Sequence, residues 1–290
     1  MGRRDRGPPA PRPPGGRAVV LRRRRPAGRG PGRRGVLGGA LGAPGAGPGA
    51  VAGRRGWAVI VLGIDTSTTA SSVGLGTEGG MLAAATVGGR ARQGSVAAVL
   101  EHLLRWSGVE LAQVGGVAVG IGPGLFTGLR VGVETAKTLA QVLRVPIVGI
   151  TSLDALAYDV RFTSRRIAAV IDARRGEVFF AIYEPAPGGV VRESGYEVAP
   201  PDRLVAELEA LGREVLAVGD GALRYRRALE ELGGRVEFAS PAFAHPRASA
   251  LIELAVPRFL REEHDRLFDV VPLYLRRTDA EIAWDERRGR

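Results

Sequence analysis

The 290-residue chain contains no cysteine. That excludes a disulfide framework and any thiolate metal site. It has three histidines, His102, His245 and His264, and their positions match no metal-ligand spacing. His102 stands alone on an amphipathic segment, His245 precedes Pro246 in a loop, and His264 lies in a charged run. No run of about 20 apolar residues occurs, so no membrane-spanning helix is expected. No serine has an evident base beside it, so no activated nucleophile is marked. Lysine occurs once, at Lys137, and the remaining fixed positive charge is arginine. These absences leave a soluble, globular, cytoplasmic protein as the expected class.

The formal net charge of +11 is unevenly spread. Residues 1–56 hold 14 arginines against one acid, Asp5, and 25 of these residues are glycine or proline. The rest of the chain carries 27 basic and 29 acidic residues. The high charge therefore belongs to the leader, and the body does not read as a basic nucleic-acid-binding domain. The leader is too poor in apolar residues to offset the entropy of ordering it, and disorder is expected. Three accounts fit it. It can be GC-rich DNA translated upstream of a later start, a basic tail that touches RNA, or a poor export signal. In the last case Arg22–Arg25 would precede an apolar stretch, Val36–Ala52, interrupted by Pro44 and Pro48.

From Trp57 onward about 234 residues suffice for one large or two small domains. Two lobes are expected, over 57–160 and 161–290. Trp57–Ile64 reads as a buried strand ending in Asp65-Thr66-Ser67-Thr68-Thr69. Ala70–Leu75 and Met81–Val87 complete a three-stranded meander. Gln93–Trp106 has the period of an amphipathic helix. A strand (Val117–Ile121) then enters the glycine-rich turn Gly122–Gly128, which opens a helix over Leu129–Leu143. The strand Pro146–Ile150 follows, and Ser152 is placed to cap another helix. The second lobe repeats the opening device: Ile167 to Tyr183 is strand, Asp172, polar turn, strand. Beyond it the pattern predicts helices at Pro201–Leu211, Tyr225–Leu232 and Ser249–Glu262, a strand at Glu214–Val218, a turn at Gly219-Asp220-Gly221, and an extended end at Pro272–Arg277.

Each chemical motif has two readings. Asp65, Thr66 and Ser67 can orient a hydrated magnesium ion and a phosphate, or satisfy the backbone of their own turn. Gly122–Gly128 can cradle a phosphate at a helix N-terminus, or form a tight turn with Thr127 as N-cap. It is neither a Walker loop nor a dinucleotide fingerprint, because the spacing fits neither. Asp172 with Arg174, Arg175 and Glu177 can be a polar cluster at a cleft or a solvated hairpin turn.

In order along the chain, Ile64–Thr68, Gly122-Pro123-Gly124-Leu125-Phe126-Thr127-Gly128-Leu129-Arg130, Ala136–Ala140, Thr151–Ala157, Ile171–Val178 and Pro272–Arg276 resemble the TsaB family. That family was formerly grouped with the M22 glycoproteases. The GPGLFTGLR block carries most of the specificity. The resemblance implies an α/β, two-lobed actin-like ATPase (ribonuclease H-like) fold. It implies a role as a non-catalytic scaffold, or dimerisation subunit, in the bacterial complex that forms threonylcarbamoyladenosine in tRNA beside the anticodon. The implied partners are TsaD and TsaE homologues, a second copy of the chain when TsaD is absent, and tRNA reached through the complex, with no membrane. No cofactor is assigned to the chain itself; ATP and magnesium can enter at the level of the complex.

The first-lobe helix lacks the His-x-x-x-His metal pair of TsaD-like proteins, and Gly94 stands where many relatives keep a histidine. Vestigial nucleotide contacts would fall on Asp65, Thr66, Ser67, Gly122, Gly124 and Asp172. The two first-lobe helices would form the docking surface, through Val99, Leu103, Arg130, Val133, Ala136, Lys137 and Ala140, although the same residues can equally face their own sheet. The alternatives are an autonomous ATPase or phosphotransferase of the same fold, and the peptidase of the old family label.

Overall fold

The computed structural model describes residues 59–89 and 95–276. The expected leader, residues 1–56, lies outside the described residues. So do Trp57, the start of the helix expected from Gln93, and Arg277.

The first lobe is a five-stranded sheet in the order β3-β2-β1-β4-β5. Its strands are β1 (Ile60–Asp65), β2 (Ala70–Thr77), β3 (Gly80–Gly88), β4 (Val114–Gly120) and β5 (Ile147–Ile150). β1, β2 and β3 form an antiparallel meander, whereas β4 and β5 run parallel to β1. Alternation along β1 and β4 sets the two faces. Leu62, Ile64, Val117 and Val119 face one core, which α1 (Ser95–Ser107) and α2 (Phe126–Leu143) cover with Val96, Leu100, Leu103, Val133, Ala136 and Ala140. Val61 and Ala118 face the other side, against Leu251, Ile252 and Ala255 of α7 (Ala248–Leu260).

The second lobe repeats the order. Its strands are β6 (Arg166–Arg174), β7 (Glu177–Ala186), β8 (Gly189–Arg192), β9 (Glu197–Ala199), β10 (Val215–Val218) and β11 (Val236–Phe238). They pair as β11-β10-β6-β7-β8, with β9 also on β7. β6–β7 is the antiparallel hairpin, and β10 and β11 are parallel to β6. One face packs Val170, Phe180 and Ile182 under α4 (Pro201–Leu211) through Leu204 and Leu208. The other packs Ile167, Ile171 and Tyr183 on Leu153 and Leu156 of α3 (Ser152–Asp159). Burying each of these large side chains stabilises the fold by about 1.5–3 kcal/mol relative to exposure. Two mixed α/β sheets of matching strand order thus form the two lobes.

The chain passes between lobes along α3 and returns along α7. Arg247 joins the two helices through a bidentate pair to Asp159, 2.8 Å at each nitrogen. Arg161 adds a 3.0 Å contact to Glu253.

Several local expectations need correction. α2 begins at Phe126, three residues early, and Thr127 lies inside it; Leu125 precedes it with no side-chain cap. Thr151, not Ser152, caps α3 by accepting from the Asp154 N–H, because the Ser152 hydroxyl is drawn elsewhere. Ser249 is likewise interior to α7, which Arg247 precedes. Gly219-Asp220-Gly221 is not a free turn but opens the short helix α5 (Asp220–Arg224). The helix expected from Tyr225 to Leu232 is a short α6 (Arg226–Leu229) followed by a 3-10 stretch.

Candidate functional site

The end of β1 and the glycine-rich loop after β4 meet face to face. Asp65 is 1% exposed, Thr66 3%, and Ser67 and Ser152 are fully buried. A buried carboxylate needs donors for its lone pairs. One Asp65 oxygen accepts from the Ser67 N–H at 2.9 Å and the Ser67 hydroxyl at 2.7 Å; the other accepts from the Ser152 hydroxyl at 3.0 Å. Desolvation pushes the Asp65 carboxyl above its ordinary value, and those hydrogen bonds and the nearby His245 partly oppose it.

The loop closes over this turn. The Leu125 N–H donates to the Ser67 carbonyl at 2.7 Å, and the Thr66 hydroxyl donates to the Gly128 carbonyl at 2.6 Å. The Ser152 N–H donates to the Gly122 carbonyl at 2.7 Å. Glycine is required where backbone approaches this closely. A methyl group on Gly132 would overlap the Thr66 hydroxyl, and one on Gly120 would overlap the Asp65 carboxylate. Asp65, Thr66, Ser67, Gly122 and Gly124 are thus brought together, but against one another. Hydrogen bonds tie Asp65, Thr66, Ser67 and Gly122 to groups of the protein itself, and a methyl group on Gly124 would overlap the Ser67 carbonyl.

Asp172 lies in the second lobe, at the matching end of β6. It is buried too, but arginines hold it: Arg174 at 3.0 Å and Arg224 at 3.5 Å, with guanidinium side chains 44% and 57% exposed. Its other oxygen accepts from the Arg174 N–H at 3.0 Å. The tip is tightly wound. Arg174, Arg175 and Gly176 have φ of 64°, 55° and 82°. Two consecutive arginines in the left-handed region cost roughly 1–2 kcal/mol each. Asp220 supports the corner by accepting from the Asp172 N–H at 3.0 Å. Burial, with Asp172 close by, pushes the Asp220 carboxyl up to about 6.

The residues expected at a partner interface divide. Leu103, Val133, Ala136 and Ala140 are buried in the first-lobe core, so they serve their own sheet. The small side chains of α2 let the helix approach β4 and β1, and a partner cannot reach them. Val99 is half-buried against the same core. Lys137 is mostly covered and lies 3.8 Å from Glu134. Arg130 is exposed. The outward face carries different residues: Glu101, His102, Arg105 and Trp106 on α1, and Thr127, Val131, Glu134, Thr138 and Val142 on α2. Trp106 is 72% exposed, Val142 71% and Val131 52%. Exposed apolar side chains at helical spacing were the available signal, but sequence could not say which stripe of each helix met the sheet.

Among the described residues, no three acidic or histidine side chains gather as a metal site, and no helix is long and apolar enough to cross a membrane.

Comparisons agree with this architecture. The family model described as TsaD, tRNA N6-adenosine threonylcarbamoyltransferase, matches residues 86–284. The chain is similar to the tRNA threonylcarbamoyladenosine biosynthesis protein TsaB of Escherichia coli, 28% identical over 79% of this chain and 99% of that protein. It is similar to the Bacillus subtilis protein of the same name, 34% identical over 59% of this chain and 73% of that one. The solved structure of YeaZ from Pseudomonas aeruginosa superposes with a TM-score of 0.65 at 30% identity, covering 75% of this chain and all of that one. The chain belongs to the TsaD family, as a homologue of TsaB/YeaZ.

Proposed function

We propose that this chain is a non-catalytic docking subunit in the synthesis of threonylcarbamoyladenosine in tRNA, supporting a TsaD homologue. The relatives named above carry that biosynthetic role in their names. The observation that carries the non-catalytic part is the closed first-lobe corner. Both oxygens of the Asp65 carboxylate have internal partners, and the glycine-rich loop is hydrogen-bonded to the turn after β1. An ATPase of this fold would have to open that corner, breaking several buried hydrogen bonds at once.

The docking part rests on the outward face of α1 and α2. Trp106, Val131 and Val142 give it apolar anchors, and Glu101, Arg105, Glu134 and Thr138 give it a polar rim. A TsaD homologue or a second copy of the chain would bury this face, and TsaE and tRNA would join through the resulting complex. The interface is therefore assigned to Trp106, Val131 and Val142 in place of the buried set.

The test is light scattering of the chain alone and mixed with the TsaD homologue of the same genome. A heterodimer is expected. Val131→Asp with Val142→Asp should weaken it roughly a hundredfold, because two apolar anchors disappear and two carboxylates must be desolvated. The melting temperature of the isolated chain should not respond to ATP and magnesium. A rise that Asp65→Ala abolishes would favour the autonomous ATPase instead.

A further inference from the structure

A series of direct contacts runs across the two lobes on residues that neither core uses. It starts at the N-terminus of α2. The Arg130 guanidinium lies 4.1 Å above the Phe126 ring, and its Nε donates to the Tyr274 hydroxyl at 3.3 Å. The Phe126 and Tyr274 rings are 5.2 Å apart, tilted by 35°. Tyr274 belongs to the extended C-terminal segment, which is pinned to the first lobe by the Leu273 N–H donating to the Ile121 carbonyl at 2.7 Å. Two residues on, Arg276 crosses to the second lobe and contacts Glu177 at 2.8 Å. Glu177 pairs across the hairpin with Arg174. Arg174 and Arg224 share Asp172, and Arg224 lies 5.7 Å from the Tyr225 ring. Arg175 is exposed at the hairpin tip.

The strip thus holds four arginines, three of them on the carboxylates of Asp172 and Glu177 and the fourth, Arg130, on the aromatic pair. It stands out because the chain beyond residue 56 carries more acidic than basic residues. Its aromatics are accessible: Phe126 is 38% exposed and Tyr274 42%. Two adjacent exposed rings touched by one guanidinium group and followed by further arginines are chemistry that suits single-stranded nucleic acid. Bases stack on the rings and phosphates meet the arginines. An acidic protein segment would use the arginines but would gain less from two adjacent exposed rings. A duplex would offer phosphates but no free base faces.

We propose that the strip Arg130–Phe126–Tyr274–Arg276–Arg174–Arg224 is a binding site for a single-stranded RNA segment. The proposal rests on the reading of the chain as a tRNA-modification subunit and gives that reading an RNA-facing surface on this chain. The C-terminal segment then acquires a purpose. It carries Tyr274 and Arg276 from one lobe to the other, so that the site is continuous only when that segment is docked.

The test is fluorescence anisotropy on the full chain with two RNAs, a short hairpin with an unpaired loop and a fully paired duplex of equal length. The arginine-rich leader is common to every variant, so differences between variants report the strip. Tyr274→Ala should weaken loop binding roughly tenfold, Tyr274→Phe should leave it unchanged, and duplex binding should not respond to either. Arg174→Ser with Arg224→Ser should weaken binding and lower the salt slope by about one for each phosphate no longer neutralised. Circular dichroism and heterodimer formation should be unaltered in all of them, which separates this site from the α1–α2 face. Equal affinity of wild type and Tyr274→Ala for the loop RNA overturns the proposal. So does loss of binding to the TsaD homologue without loss of RNA affinity, which would make the strip a protein interface.

Discussion

β1–β2 of the first lobe and β6–β7 of the second are built alike: an apolar strand ends in an aspartate, turns, and returns antiparallel. Their surroundings differ. Asp65 is enclosed by hydroxyls and a backbone N–H, under the loop after β4. Asp172 is enclosed by arginines whose outer ends reach solvent, and the element after β10 is a short helix rather than a covering loop. The difference originates in the segment that leaves the parallel strand. Gly122–Gly128 folds back over its turn, whereas Gly219-Asp220-Gly221 begins α5 beneath its own. One corner has become core, and the other remains an exposed cationic surface.

The largest break in this comparison should come from removing each aspartate. Asp65→Ala leaves two buried hydroxyls and one N–H without their acceptor and should cost about 3–5 kcal/mol. Asp172→Ala releases arginines that water can solvate and should cost about 1 kcal/mol. Urea unfolding of the two variants measures the contrast, and equal losses would show that both corners are core.

A smaller effect is expected at Asp220, with a defined pH window. Its carboxyl is held at about 6 in the folded protein against 3.8 as the ordinary value. The folded state therefore binds more protons between about pH 4 and 6, and this group's contribution to stability falls as pH rises through that window. Asp220→Asn keeps an acceptor for the Asp172 N–H and removes the charge. It should be more stable than wild type by about 1–3 kcal/mol at pH 7 and match it below about pH 4. Paired thermal melts at the two pH values decide it.

The smallest effect compares two helix ends. α4 stops at Gly212 with φ of 62°, but α2 stops at Arg144 with φ of 55°. Glycine adopts that conformation without strain. Arg144→Gly should therefore stabilise the chain by about 0.5–1 kcal/mol, and Gly212→Arg should destabilise it by about as much. Both are readable as shifts in the urea midpoint.

Much of the fold was legible in the sequence because local patterning and global packing agree. β1, β2, β3, α4 and the β6–β7 hairpin fall within a few residues of their expected places, since period and turn chemistry are local properties. The short strands β8, β9 and β11 were not legible. They have three or four residues each, too few for a period, and exist because β7 and β10 offer them an edge. The start of α3 is not legible locally, because the Ser152 hydroxyl has a tertiary partner: it points at Asp65, 87 positions away in sequence.

The sequence by itself determined the two-lobed α/β repeat, the aspartate closing each first strand, and the family, because these are written in hydrophobic period and in contiguous motifs. Only the tertiary structure decided which protein groups those aspartates meet. It decided too that Leu103, Val133, Ala136 and Ala140 belong to the core while Trp106, Val131 and Val142 stay outside. It also joined Phe126 to Tyr274 and Arg276 to Glu177. The physical reason is the same in each case. Burial and hydrogen-bond partnership depend on residues far apart in the chain, and a stripe on a helix has no inside until the sheet is laid against it.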